Sequence, residues 1–237
     1  MIDMVQSSMA EYATKSVYKF SPSRLSLLAD CPRCFWLSYR KGIERPSGIF
    51  PSLPSGMDKI FKEHFDSFRD QGELPPELAG LKGTVRLFQD QQLLEEWRDS
   101  YRGVTWTDSS GNMLRGAVDN LLQKGDKLII LDYKTRGFPV TGNYASYYQD
   151  QMDFYNFLLR KKGYKTENYA YLLVYHPVKV KASGEVVFHT DLLKLDVDVD
   201  NAERIFRKAL DVLNGDMPEA DKECEYCQWA AERNKKL

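Results

Sequence analysis

Two carboxylates and a lysine stand close together in a stretch with the pattern of a β-hairpin. It runs Arg115-Gly116-Ala117-Val118-Asp119-Asn120-Leu121-Leu122-Gln123, then Lys124-Gly125-Asp126, then Lys127-Leu128-Ile129-Ile130-Leu131-Asp132-Tyr133-Lys134. A tight Gly-Asp turn between two apolar runs predicts two antiparallel strands. With Gly125 and Asp126 as the loop, Lys124 pairs with Lys127, and counting outward sets Asp119 opposite Asp132. Side chains alternate along a strand, so Lys134 shares the Asp132 face and Tyr133 points away. Like charges this close repel, and burial adds a desolvation cost. A divalent cation, Mg²⁺ or Mn²⁺, resolves both. It takes carboxylate oxygens and water, acidifies that water, and stabilises charge building on a phosphate under attack. Lys134 is then a cation placed where charge develops.

A second group of residues has metal-ligand spacing. The chain holds four cysteines, in the pairs Cys31-x-x-Cys34 and Cys224-x-x-Cys227. With no export signal apparent, this pattern points to thiolate ligation rather than disulfides. Four thiolates suit either tetrahedral zinc or an iron–sulfur cluster, and either would staple the N-terminal helices to the C-terminus.

The elements that must position these residues follow from periodicity. Residues 1–18 read as a flexible tail and 19–237 as one domain, a size within the ordinary range. Ser21-Pro22-Ser23 starts a short helix ending near Cys31-Pro32, and a second helix carries Phe35, Trp36, Leu37 and Tyr39. After a proline- and glycine-rich loop, Met57, Ile60, Phe61, Phe65 and Phe68 mark a long amphipathic helix. His64 lies on its inward face. A helix is expected over Gln89–Tyr101, then strands over 104–107, 114–123, 127–134, 169–176 and 185–195. Helices over 145–161 and 199–214 complete an α/β layer fold.

Composition agrees with a folded protein and narrows the partners. Hydrophobic residues are 43% and aromatics 13%, which excludes a disordered chain. The 33 basic and 34 acidic residues nearly cancel, so nucleic acid would have to be met by local patches. No run approaches the roughly 20 apolar residues of a membrane helix, so no membrane partner and a cytoplasmic location are expected.

Gly116 with Asp119, then Asp132 with Lys134, then Gln151 with Tyr155 on the following helix, closely resemble the RecB-like branch of the PD-(D/E)XK nucleases. Gln151 and Tyr155 are one helical turn apart and share a face. Ser23-Arg24-Leu25 and Cys31-Pro32-Arg33-Cys34-Phe35 resemble the opening of the subset containing recombination and CRISPR-associated exonucleases. The resemblance implies a restriction-endonuclease-like core, with a mixed central sheet flanked by helices. It implies catalytic roles for Asp119, Asp132, Lys134, Gln151 and Tyr155, with Mg²⁺ or Mn²⁺ on Asp119 and Asp132. It also implies hydrolysis of DNA at ends or single strands, in repair, recombination or defence, with a helicase or other nuclease subunit as a further partner. The alternative is a catalytically weak DNA-binding or scaffold subunit. In that subset one early and three late cysteines hold a [4Fe–4S] cluster. Here Cys34 is extra and the last cysteine is missing, so the resemblance implies a [4Fe–4S] cluster on Cys31, Cys34, Cys224 and Cys227, with zinc as the alternative. Many members also carry a metal-binding histidine on the helix before the hairpin, and His64 falls about one turn later than that position.

Overall fold

The structure is a computed structural model and describes residues 16–236. The tail expected over 1–18 lies outside the described residues up to residue 15. The chain runs β1 (Lys19–Phe20), α1 (Pro22–Asp30), α2 (Pro32–Lys41), α3 (Ser52–Asp70), β2 (Arg86–Leu87) and α4 (Gln91–Arg98). It continues with β3 (Val104–Thr107), β4 (Met113–Gly116), β5 (Asn120–Lys124), β6 (Lys127–Thr135) and α5 (Gln149–Lys161). The last elements are β7 (Tyr169–Val180), β8 (Val186–Asp196), α6 (Val199–Asn214) and α7 (Glu225–Lys236).

Local chemistry sets several of these boundaries. Ser21 caps α1 by accepting the Arg24 N–H at 3.3 Å, with Pro22 at the first helical position. Asp90 and Asp198 cap α4 and α6 in the same way. Gly42, at φ +67°, ends α2 in the left-handed conformation that glycine adopts without strain.

The strands form two mixed sheets, one ordered β1-β4-β3 and one ordered β2-β5-β6-β7-β8. The β5–β6 hairpin has the expected register, from Lys124 opposite Lys127 to Asn120 opposite Leu131. Strand β7 lies parallel to β6, with α5 as the crossover. The strand expected over 114–123 is in fact two, β4 and β5, and they belong to different sheets. The break falls at Ala117–Asp119, where backbone groups are claimed from outside the ladder. Val118 N–H donates to the Trp97 carbonyl at 3.1 Å, and Arg98 Nε donates to the Asp119 carbonyl at 2.7 Å. Helix α7 was not expected, because its residues are polar and none is buried.

Alternation along β6 divides the core. Leu128 and Ile130 face a cluster with Phe154, Leu158, Leu172 and Phe206 on the α5–α6 side. Ile129, Leu131 and Tyr133 face Phe61, Phe65, Leu173 and Tyr175 on the α3 side. Asp132 therefore points toward α5, at the end of a strand buried on both faces.

Gly116 is where β4 meets α5. A Cβ there would lie 2.9 Å from Leu158 Cδ1 and from two ring carbons of Tyr155. Gly116→Ala should therefore cost about 1–3 kcal/mol through overpacking. Urea denaturation checks this, and a variant as stable as the parent would mean that α5 moves aside freely.

Candidate active site

The β5–β6 ladder stops one pair short of Asp119, which curls over the end of β6 instead. Asp119 Oδ2 accepts the Tyr133 N–H at 3.2 Å. Asp132 is 1% exposed. Its Oδ2 pairs with the Lys134 ammonium. From α5, Gln151 Nε2 lies 3.3 Å from Asp132 Oδ1 and 2.7 Å from the Tyr155 hydroxyl. The structure thus brings Asp119, Asp132, Lys134, Gln151 and Tyr155 together. A cleft of about 460 Å³ opens over Asp119, Asp132, Lys134 and Gln151, with Asp58 and Tyr148 among its walls. The Lys134 ammonium lies 4.8 Å from the centre of the Tyr148 ring.

Burial pushes the Asp132 carboxyl up, and Asp119 adds to this through its charge and a hydrogen bond. The Lys134 ammonium pulls the other way without winning, which leaves Asp132 at about 7. Burial also works against the charge on Lys134, but Asp132 and Asp119 outweigh it and hold the proton more tightly than usual. A buried carboxylate paired with a single lysine, beside a second acid in an open cleft, is a donor set that fits Mg²⁺ or Mn²⁺.

His64 is not among the groups gathered here. Its Nε2 lies 3.1 Å from a Glu77 oxygen, and its ring packs edge-on against Phe65 and Phe68. Helix α3 brings Asp58 and Lys62 to the acids instead. The Lys62 ammonium is 2.7 Å from Asp58 Oδ2 and 3.3 Å from Asp119 Oδ1. The one sequence signal for this pair is its i, i+4 spacing, which is common to many exposed helix faces.

A polar lattice behind the site holds the backbone that carries both acids. Asp66 accepts two hydrogen bonds from Arg98, at 2.7 and 2.9 Å, and also pairs with Arg69. Arg69 donates to Asn120, and Asn120 donates to the Tyr133 hydroxyl. Asn120 and Tyr133 are the neighbours of Asp119 and Asp132. Burial pushes the Asp66 carboxyl up, but Arg98 and Arg69 outweigh it and keep it below the usual carboxylate range. The four cysteines also come together at a separate place, with Cys31, Cys34 and Cys224 buried and Cys227 half-buried. They form a group able to bind a metal.

Two sheets wrapped by helices, with two acids and a lysine at the strand ends, define an α/β protein with a cation-receptive acidic cleft. The chain belongs to the PD-(D/E)XK nuclease superfamily, whose family model matches residues 19–231. Members of that superfamily are generally metal-dependent nucleases. No curated protein matches the sequence. Among solved structures, the crystal structure of SSO0001 is similar at 14% identity, covering 94% of this chain and 89% of that one, with a TM-score of 0.40.

Two outcomes follow from this geometry. Asp66→Ala leaves Arg69 and Arg98 without their shared counter-charge and should cost about 3–5 kcal/mol, measured by chemical denaturation. The second concerns pH. Folding raises the Asp132 pKa above its ordinary value near 3.9, so in divalent-free buffer its contribution is complete below about pH 4 and is lost as pH rises through about 7. The stability of Asp132→Asn relative to the parent should therefore climb across that window, and saturating Mn²⁺ should shrink the climb. A pH-independent difference would mean that Asp132 is ionised throughout.

Proposed function

We propose that this chain is a divalent-metal-dependent deoxyribonuclease of the RecB-like kind, hydrolysing phosphodiester bonds at DNA ends or in single strands. The observation that carries this reading is the buried Asp132, paired with Lys134 and held beside Asp119 in an open cleft. Asp119 and Asp132 would hold Mg²⁺ or Mn²⁺. When bound, that ion supplies an acidified water and neutralises charge on the phosphate.

The protein's own groups do the rest. Lys134 keeps its proton because two carboxylates face it, so it remains a cation able to stabilise a phosphate oxygen as negative charge grows. Gln151 ties Asp132 to Tyr155, which fixes the carboxylate's orientation from the α5 side. Lys62, already between Asp58 and Asp119, is a second cation within the same site. Near-neutral total charge matches recognition through such local groups rather than a broad basic field. Action in repair, recombination or defence, alongside a helicase or another nuclease subunit, is part of this proposal.

The test is cleavage of labelled single-stranded DNA, duplex DNA and RNA by purified protein, with Mn²⁺, Mg²⁺ or chelator. Metal-dependent DNA cleavage is expected, abolished in both Asp119→Ala and Asp132→Ala. Lys134→Met should keep Mn²⁺ binding by calorimetry and lose about 10²–10³-fold in single-turnover rate, because its charge acts on the transition state. Near-parental cutting by either aspartate variant would refute the assignment, and exclusive cleavage of RNA would change the substrate.

A further inference from the structure

The cysteine cluster has dimensions that discriminate between the two metal centres left open by its spacing in sequence. Cys34 Sγ lies 3.6 Å from both Cys224 Sγ and Cys227 Sγ, and Cys31 Sγ lies 3.9 Å from Cys227 Sγ. All four sulfurs fall within 4.8 Å of one another. These separations are far longer than a disulfide bond of about 2.05 Å, and the cysteines are free. A zinc–thiolate bond of about 2.3 Å places the corners of a tetrahedron about 3.8 Å apart, which matches the observed spacing. In a [4Fe–4S] cluster each thiolate binds a different iron, so the sulfurs splay outward around a cube and need a wider cage.

We propose that Cys31, Cys34, Cys224 and Cys227 hold one tetrahedral zinc ion, and that the iron–sulfur cluster implied by the family resemblance does not fit this chain. All four corners are protein thiolates, which leaves no open position for substrate and makes the site structural. Four thiolates around Zn²⁺ carry a net negative charge, and Arg45 answers it. Its Nη2 donates to Cys224 Sγ at 3.5 Å, while its guanidinium lies 4.7 Å from the centre of the Tyr226 ring and its Nη1 pairs with Asp30 at 3.3 Å. The function of the ion follows from α7, which buries no residue of its own. Besides the thiolates, the segment before α7 is tied to α2 by Arg33, which donates to the Pro218 carbonyl at 2.8 Å and pairs with Glu219. Zinc would therefore be the main anchor of the C-terminal helix.

The experiment is metal and sulfide analysis of the full chain, purified anaerobically from cells supplied with both iron and zinc. One zinc per chain, no labile sulfide and colourless protein are expected. Replacement by Co²⁺ should give the visible bands of tetrahedral thiolate coordination. Cys34→Ser should lose the ion, lower Tm by roughly 5–10 °C and speed amide exchange in α7. Should that variant fail to fold, chelation of the parent protein gives the same exchange readout. Brown protein containing iron and sulfide would overturn the proposal. So would protein that holds neither metal, or an α7 equally protected after zinc removal.

Discussion

Repulsion between Asp119 and Asp132 is the constraint around which the rest of the molecule is arranged. Asp132, almost fully buried at the end of the sheet, would ionise more easily out of that low-dielectric setting and away from the Asp119 charge. The fold does not relieve this by burying a full set of hydrogen-bond donors. It supplies Lys134 to one acid and Lys62 to the other. The result is a site whose electrostatic demand is only partly met by protein.

Holding such a pair in place requires rigid surroundings, and the structure provides them from behind. Asp66, Arg69, Arg98 and Asn120 form a connected set that fixes the residues next to both acids. On the opposite side, α5 is pressed close enough to β4 that a side chain at position 116 would force Leu158 or Tyr155 to shift. That contact sets the depth at which Tyr155 and Gln151 approach Asp132. The hairpin is thus clamped between a polar lattice and a packed helix, and displacement of either shifts the carboxylates.

Much of this frame was legible from the chain. The Gly125-Asp126 turn and the period-2 pattern of Leu128–Lys134 report the register and the faces directly, because both depend on neighbouring residues. Helix α6 and the paired cysteines were readable for the same reason. The split between β4 and β5 was not, since it depends on bonds to the Trp97 carbonyl and the Arg98 side chain, about twenty residues earlier. Asp58 and Lys62 look like an ordinary exposed pair until the fold carries them to Asp119. His64 could be placed on an inward face, but nothing local names Glu77 as its partner. Helix α7 lacks the apolar stripe that periodicity detects.

The meeting of Cys31 with Cys227 spans 196 positions of sequence. During synthesis the Cys31–Cys34 pair emerges well before the Cys224–Cys227 pair, with β2 through β8 encoded between them. The centre can therefore form only after the whole sheet has been synthesised, with β6 and its acids already in place. Assembly of the thiolate group accordingly waits on synthesis of the hairpin that carries both acids.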